Sequence, residues 1–319
     1  MEKRESARRP RKGPPLPFLT FYPLWQSGSE RAVPQLVIMA ASADFLSKYL
    51  RRVGISETAQ QLAPTTRLLC KLMMAHSRSI PFENLDVVCG RKISIVRADI
   101  VRKLVDERRG GYCWEQNALL QLALEAAGFE SVTPLLCRVR WGKASDADGP
   151  VSAYTHMALK VQIEGTNYLA DVGFSGVNSV APVNLDVGET PQPLPEGEFR
   201  VERRGEYSAL QLNVRGEYRA LYKWRDEPGA YCDQEACNWY SCTFPSARFT
   251  TSFFVCRVVG EERHHILNAT YVVRKGHGAD SATETTRIAG RAQLLALLDD
   301  VFGLRLAPGE SDGVDRYLD

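Results

Sequence analysis

The spacing of apolar residues predicts helices in the first part of the chain. Between residues 42 and 128, apolar residues recur every three or four positions, as in helices that bury one face. The predicted helices cover residues 43–53 (capped by Ser42), 65–76, 97–107 and 113–128, and residues 80–86 between the second and third are predicted to be a loop. We expect these helices to pack as a small bundle.

A different pattern begins near residue 132. Short segments rich in β-branched residues are separated by Gly, Pro and Asn, which is typical of antiparallel strands. The predicted strands cover residues 132–141, 157–163, 168–172, 199–201, 208–214, 218–222, 251–259 and 266–273, with a polar loop at 143–151 and a last helix at 291–302. This order of elements predicts an α+β fold with an antiparallel sheet or small barrel.

Residues 1–38 follow neither pattern. They contain seven Lys or Arg against three Glu, and Pro15, Pro17 and Pro23 interrupt their only apolar stretch. A signal peptide has an uninterrupted apolar core, so this segment does not fit one. We predict a disordered basic, Pro-rich extension over residues 1–38, with the natural start at Met39 and the ordered chain beginning at Ser42.

The composition of the rest is that of a globular protein with a real core. The chain has 319 residues, of which 44% are hydrophobic, and its formal net charge is +2. Because the extension carries a net charge of +4, residues 39–319 come to −2 and are nearly neutral, which argues against nucleic-acid binding. No apolar run reaches the length of a membrane span, so no membrane association is expected.

The eight cysteines are predicted to be reduced thiols of a cytoplasmic protein, because nothing marks the chain as secreted. Cys232, Cys237 and Cys242 follow one another at five-residue intervals, which matches no zinc-ligand spacing. We therefore expect no metal site.

One cysteine has a distinctive setting. Gly110 and Gly111 precede Cys113, which we expect in the first turn of the fourth helix. Free N–H groups and the helix dipole at that position favour a thiolate, and the two glycines would leave the approach to its sulfur open. An inert buried thiol fits the segment equally well until a base is found.

The histidines differ in their suitability as that base. His76 at a helix end is expected to be packed, and His277 in a Gly-flanked turn is expected to be exposed to solvent. His264 and His265 are adjacent, so in a strand they point to opposite faces and cannot serve one site together. His156 is the remaining candidate.

His156 opens a predicted hairpin whose turn is Glu164-Gly165. In that register residue 173 lies opposite His156, and Asp171 is its diagonal neighbour on the same face. A carboxylate in an otherwise apolar strand needs a partner, so the two side chains are expected to pair. The pattern predicts a Cys113–His156–Asp171 triad, with a satisfied core histidine as the plainer alternative.

These motifs resemble those of the arylamine N-acetyltransferase family, and of its bacterial members most of all. They are Arg-Gly-Gly-Tyr-Cys at 109–113, Thr-His-Met at 155–157 and Ala-Asp-Val-Gly-Phe at 170–174, supported by Ile-Pro-Phe-Glu-Asn-Leu at 80–85 and Asn-Trp-Tyr-Ser at 238–241. The resemblance extends from about Met39 to the last helix. Residues 1–38 have no counterpart in it.

The resemblance implies an α+β fold with a helical bundle (residues 39–128), a central antiparallel β-barrel (129–243) and a C-terminal α/β lid (244–319). It implies transfer of an acetyl group from acetyl-CoA, as co-substrate, to an arylamine, arylhydrazine or N-hydroxyarylamine. The route would be ping-pong through an acetyl-cysteine on Cys113, with His156 and Asp171 completing the triad. Such an activity belongs to xenobiotic metabolism.

The resemblance also implies binding residues. Phe82, Phe174 and Phe249 would line an aromatic acceptor pocket, and Thr155 and Gly173 would lie beside the channel for the pantetheine arm. Two departures from the family pattern, Ser175 in place of glycine and Phe244 in place of a bacterial histidine, would alter pocket shape or CoA contacts.

Other classes fit part of the pattern. The order Cys, His, Asp is also found in papain-like and transglutaminase-like cysteine hydrolases and amide-forming enzymes. A non-catalytic relative used for binding is a third class. The sequence leaves open the physiological amine, the preferred acyl-CoA and the oligomeric state.

Overall fold

A computed structural model describes residues 35–141, 152–174, 176–276 and 282–318, with side chains described from Ala43 onward. The predicted loop at 143–151, Ser175, His277 and the first 34 residues lie outside these ranges. No helix in the described ranges is both long enough and apolar enough to cross a membrane.

The first part of the described chain is helical. It contains α1 (Gln35–Val53), α2 (Thr66–Ser79), α3 (Leu85–Val88), α4 (Arg97–Val101), a π-helical turn (Arg102–Asp106) that continues α4, and α5 (Cys113–Ala126). The apolar faces predicted from the sequence meet in one core, with fully or nearly fully buried Leu46, Tyr49, Leu50, Leu69, Leu72, Ile100, Leu104, Leu119, Leu120 and Leu124. Thr65 caps α2 by accepting the backbone N–H of Leu68 at 3.2 Å.

Helix α1 begins earlier than predicted. It starts at Gln35, so the prediction that order begins at Ser42 and that disorder extends to residue 38 is wrong for residues 35–38. The segment from residue 35 to residue 41 contains no Gly or Pro and is rich in Leu, Met and Ala, which favour helix. A capping residue such as Ser42 favours a helix start at that position only weakly, so the helix extends past it toward the N-terminus.

The predicted loop at residues 80–86 contains regular structure. Phe82 and Glu83 form strand β1, which pairs with residues far along the chain, Phe82 with Cys256 and Glu83 with Val255. A two-residue strand with a distant partner leaves no local pattern in the sequence. Through β1, the helical part of the chain contributes a strand to the C-terminal sheet.

The middle of the chain forms an eight-stranded antiparallel sheet with the strand order β5-β4-β3-β2-β9-β8-β7-β6. The strands are β2 (Ser131–Val139), β3 (His156–Ile163), β4 (Thr166–Ala170), β5 (Val183–Asn184), β6 (Gln192–Leu194), β7 (Gly197–Arg204), β8 (Tyr207–Val214) and β9 (Glu217–Arg225). The Gln192 side chain on β6 exchanges two hydrogen bonds with the Asn184 backbone on β5, at 2.8 and 2.9 Å. The two edge strands are thereby joined, and the sheet is a nearly closed barrel.

Strand β3 joins the barrel to the helices because both of its faces are buried. Met157, Leu159 and Val161 pack in the helical core, whereas Ala158 packs in the barrel core between them. The turn into β4 is Glu164-Gly165, both with positive φ (49° and 82°), and it pairs Ile163 with Thr166 and Leu159 with Ala170. The predicted hairpin turn is confirmed, and so is its register as far as the pair Leu159 and Ala170. Asp171, predicted to lie within the second strand, follows the end of that strand.

The end of the chain forms a second sheet, ordered β1-β10-β11-β12-β13. Its further strands are β10 (Phe254–Val259), β11 (Glu262–Leu267), β12 (Thr270–Lys275) and β13 (Ala282–Arg287). Helix α8 (Arg291–Asp300) covers one face with Leu294 and Leu298.

Two predictions were wrong in this region, and one helix was missed. The strand predicted at 266–273 is two strands, because Asn268 adopts a positive φ of 51° and turns the chain. Thr251 belongs to the short helix α7 (Arg248–Thr251), not to β10. Helix α6 (Tyr231–Thr243) was not predicted, since its polar and aromatic residues show no clean apolar stripe.

Candidate active site

Cys113 is the first residue of α5, as predicted. The turn into it is held by Glu115, whose Oε2 accepts the backbone N–H of Tyr112 at 3.0 Å. A Cβ on Gly110 would lie 2.3 Å from the Pro81 carbonyl oxygen, and one on Gly111 would lie 2.7 Å from Glu115 Oε2. The two glycines therefore allow close packing of the turn that leads into the nucleophile.

The Cys113 thiol is enclosed by backbone. Its Sγ donates to the Thr155 carbonyl at 3.5 Å, and the side chain is 2% exposed. Burial raises the pKa of the thiol and the Asp171 carboxylate raises it further, while the backbone N–H groups of Trp114 and Met157 lower it. The net shift is upward, so the N–H group at the helix start favours the thiolate, as predicted, but does not outweigh the burial of the sulfur. A thiolate here needs a cation beside it.

His156 and Asp171 are hydrogen-bonded to each other. His156 Nε2 lies 2.8 Å from Asp171 Oδ2, and both side chains are almost fully buried. The imidazole also packs against two aromatic rings, Phe174 at 5.2 Å and Tyr222 at 4.7 Å between centroids. With Nε2 directed at the carboxylate, Nδ1 is the ring nitrogen left for another proton.

Asp171 is held as a carboxylate despite its burial. Burial opposes the charged form, but His156, the Asn117 amide and the Gly173 backbone N–H stabilise it, and the net pKa of Asp171 is lowered. The Gly173 N–H donates to Asp171 Oδ1 at 2.8 Å. Since the charged form persists, it can keep a proton on His156 Nε2.

Asn117 was missed by the sequence analysis. It lies one helical turn after Cys113 and is fully buried. Its Nδ2 donates to Asp171 Oδ1 at 2.9 Å and to the Met157 carbonyl at 2.6 Å, and its Oδ1 accepts the Val172 N–H at 3.0 Å. A polar residue on the buried face of α5, four positions after Cys113, was the signal that could have identified it.

Gly173 has a packing role that the sequence did not predict. A Cβ at this position would lie 2.8 Å from Cys113 Cα and 2.7 Å from Asn117 Nδ2. Only glycine lets the segment after Asp171 lie directly against the start of α5. This contact explains how the carboxylate and the cysteine helix come to share one site.

Helix α6 supports the residues on either side of Cys113. The Tyr112 hydroxyl donates to the Asn238 side chain, and Trp114 Nε1 donates to Ser241 Oγ at 3.2 Å. The segment Asn-Trp-Tyr-Ser thus presents its first and last residues to the nucleophile's neighbours, while Trp239 stays exposed.

A second buried polar cluster lies behind the cysteine turn. Lys103 Nζ contacts Glu115 Oε1 at 2.7 Å and Asp86 Oδ2 at 2.6 Å. Arg109 Nη2 contacts Glu83 Oε1 at 3.2 Å, and its Nη1 contacts Glu310 Oε1 at 2.9 Å. Burial raises the pKa of Glu115 to about 7, although Lys103 lowers it.

The predicted aromatic residues fall in two groups. Phe82 and Phe249 pack together at 5.9 Å between centroids, and Phe249 also packs against Tyr112 at 5.2 Å. Phe174 instead packs against His156 and Tyr222, in the barrel core. Thr155 contributes its carbonyl oxygen to Cys113.

A cysteine at a helix start, beside a buried His–Asp pair, is the arrangement of enzymes that use a thiolate nucleophile. An N-acetyltransferase family model matches residues 65–310. The arylamine N-acetyltransferase of Mycolicibacterium smegmatis is 38% identical over 264 residues, which are 82% of this chain and 92% of that protein.

Two further comparisons agree. The arylamine N-acetyltransferase / N-hydroxyarylamine O-acetyltransferase of Salmonella typhimurium is 32% identical, over 82% of this chain and 89% of that one. The structure of Mycobacterium marinum arylamine N-acetyltransferase in complex with CoA superposes with a TM-score of 0.77 at 31% identity, covering 85% of this chain and 99% of that chain. The chain belongs to the arylamine N-acetyltransferase family.

Proposed function

We propose that this protein transfers an acetyl group from acetyl-CoA to an arylamine, arylhydrazine or N-hydroxyarylamine, through an acetyl-cysteine on Cys113. The family and the names of the relatives support the reaction. The observation that supports the residues most directly is the His156–Asp171 hydrogen bond, next to Thr155, whose carbonyl contacts Cys113 Sγ just before β3 begins.

The first half-reaction forms the acetyl-cysteine. Asp171 keeps the proton on His156 Nε2, so Nδ1 takes the proton of the Cys113 thiol. Because burial raises the pKa of the thiol, the thiolate exists only as an ion pair with the imidazolium. The thiolate attacks the thioester carbonyl, the C–S bond to CoA breaks, and the CoA sulfur leaves with the proton from His156.

The second half-reaction releases the acetyl group. The amine nitrogen attacks the acetyl carbonyl, His156 accepts its proton, and Cys113 leaves as the thiolate. Backbone N–H groups at the start of α5 are free of helix hydrogen bonds and stabilise the oxyanion in both half-reactions.

The binding residues are proposed on weaker grounds. Phe82 and Phe249, which pack beside Tyr112, form one wall for the aromatic acceptor, and Phe174 borders the other side of the imidazole. Thr155 and Gly173, which both contact Cys113, flank the pantetheine arm. No metal takes part in these steps.

The experiment mixes the protein with acetyl-CoA, with and without an aromatic amine, and follows free CoA thiol and the mass of the intact protein. Sustained thiol release that requires the amine, with one acetyl group on the wild type and none on Cys113→Ala, is expected. Thiol release indifferent to the amine would identify a hydrolase. Cys113→Ala that keeps its ligand affinity with no turnover in either protein would identify a binding protein.

We also propose a cytoplasmic location and the three-part division at residues 39–128, 129–243 and 244–319. The location is supported by the cysteines, all eight of which are free. The division is supported by the separate helical, barrel and C-terminal cores.

A further inference from the structure

A cavity of about 200 Å³ opens at one end of the barrel. Its walls come from β3, β4, β7, β8 and β9 and from the turn after β5, and they include none of the residues of the candidate active site. A volume of this size suits a ligand of one small ring, below the range of pockets for drug-sized molecules.

The floor of the cavity is apolar. Leu185, Val201 and Trp224 line it, and all three are buried members of the barrel core. The aromatic or branched apolar part of a ligand would therefore pass from water to this surface without a free-energy penalty.

Arg203 stands at the rim on the inner face of the barrel. Phe199 and Val201 are the inward residues of β7, so Arg203, two positions later, lies on the same face. Its Nη2 donates to the Leu185 carbonyl at 3.0 Å, and none of the ion pairs within the described residues includes it. Most of its N–H donors are thus uncommitted.

The carboxylates around the cavity already have partners. Asp226 pairs with Lys160, and Glu206 pairs with Arg225. Asp186 accepts two hydrogen bonds from Asn167, at 2.8 and 3.1 Å. These hydrogen bonds lower the pKa of Asp186, and the charge of Arg203 lowers it further without a direct contact between the two side chains. Each of these carboxylates therefore has a donor of its own, and Arg203 is a cation of the lining that takes part in no ion pair within the described residues.

We infer that this barrel-end cavity binds a small organic monocarboxylate, with its apolar body against Trp224 and its carboxylate on Arg203. The planar fork of a guanidinium binds a carboxylate through two parallel hydrogen bonds, which specifies the charge and the shape of the ligand. Trp224 packs on Tyr222, and Tyr222 packs on His156, at 6.0 and 4.7 Å between centroids. A single aromatic ring thus separates the floor of this cavity from the imidazole.

The test is calorimetric titration of the full chain with benzoate, and with benzamide as its neutral equivalent. Saturable benzoate binding is expected, with no binding of benzamide. Arg203→Gln is expected to weaken benzoate binding by about tenfold or more, the value of charge-assisted hydrogen bonds. Arg204→Gln, a matched control on the outer face paired with Glu202, is expected to leave it unchanged.

Three controls separate this site from others. Cys113→Ser is expected to bind benzoate as the wild type does, since the inference does not depend on the proposed activity. Ser208→Leu, which fills the cavity while keeping Arg203, is expected to abolish binding. Undiminished binding by Arg203→Gln or Ser208→Leu, equal loss in Arg204→Gln, or absence of binding by the wild type would overturn the inference.

Discussion

Two buried polar clusters contact the first turns of α5 from opposite sides, and they differ in their charge balance. On the barrel side, Asp171 has hydrogen-bonding partners in His156, Asn117 and Gly173. Behind the turn, the carboxylates of Glu83, Asp86, Glu115 and Glu310 pair with Lys103 and Arg109, and Asp86 also pairs with the more exposed Arg91 at 2.9 Å. Residues 113 and 117 face one way on the helix and residue 115 the other.

The difference indicates that the start of α5 has two roles: one side of it is suited to catalysis, and the other side holds the turn in place. The barrel-side cluster contains one carboxylate held charged and one imidazole with a free nitrogen, which is suited to moving a proton. The rear cluster has more carboxylates than cations, and burial raises the pKa of Glu115 to about 7. Its role is to hold the cysteine turn in place.

The largest effect on activity is expected from His156→Gln. The amide can still donate to Asp171 but cannot accept the thiol proton, so kcat/KM is expected to fall roughly 10⁴-fold with little change in melting temperature. The control is His76→Gln, because His76 is equally buried and hydrogen-bonded to Tyr49 and Gln116. Similar activity losses in the two variants would erase the proposed distinction between a catalytic and a structural histidine.

Lys103→Met tests the rear cluster through stability, whereas His156→Gln tests the barrel-side cluster through activity. Removing this cation leaves Glu115 and Asp86 buried without it, which is expected to lower the free energy of unfolding by about 3–5 kcal/mol. Urea denaturation measures the loss. Lys48→Met, which removes an exposed pair with Asp44, is the control and is expected to leave the free energy of unfolding nearly unchanged.

Glu115→Gln tests the raised pKa of Glu115. An unfolded chain releases the Glu115 proton near the ordinary pKa of 4.5, whereas the folded protein holds it to about pH 7. The folded state therefore binds more protons in that window, and its stability falls as pH rises through it. Relative to wild type, Glu115→Gln is expected to gain up to about 3 kcal/mol between pH 5 and pH 8.

The measurement is urea denaturation of both proteins at several pH values. Glu125→Gln, on the same helix but exposed, is the control and should parallel the wild type throughout. A constant difference between Glu115→Gln and wild type would mean that Glu115 is already charged in this range.

Asn117→Ala is expected to have the smallest effect of the four. It removes one donor from Asp171 and two backbone contacts, so kcat/KM is expected to fall roughly 10–100-fold, the value of hydrogen bonds to a charged group. Steady-state kinetics measure it, and exposed Gln121→Ala on α5 is the control. An unchanged rate would show that His156 and Gly173 suffice to position the carboxylate.

Much of the site followed from local pattern. Cys113 at the helix start, His156 at the strand start and the Glu164-Gly165 turn all have signals within a few residues of themselves. Asn117 and the rear cluster do not, because their partners lie far away in the chain, as Asn117 to Asp171 and Arg109 to Glu310 illustrate. The same limit explains β1, whose two residues pair with Cys256 and Val255.

The sequence by itself determined the main helices, most of the barrel strands and the parity of the hairpin, since the 3.6- and 2-residue periods and the turn residues are local properties. It therefore placed His156 and Asp171 on one face before any fold was known. Tertiary structure decided the electrostatics. Burial, which no local pattern reports, raises the pKa of Cys113 and of Glu115, and close packing explains the glycines at 110, 111 and 173. Desolvation depends on what surrounds a group from every side, and only the folded chain supplies those surroundings.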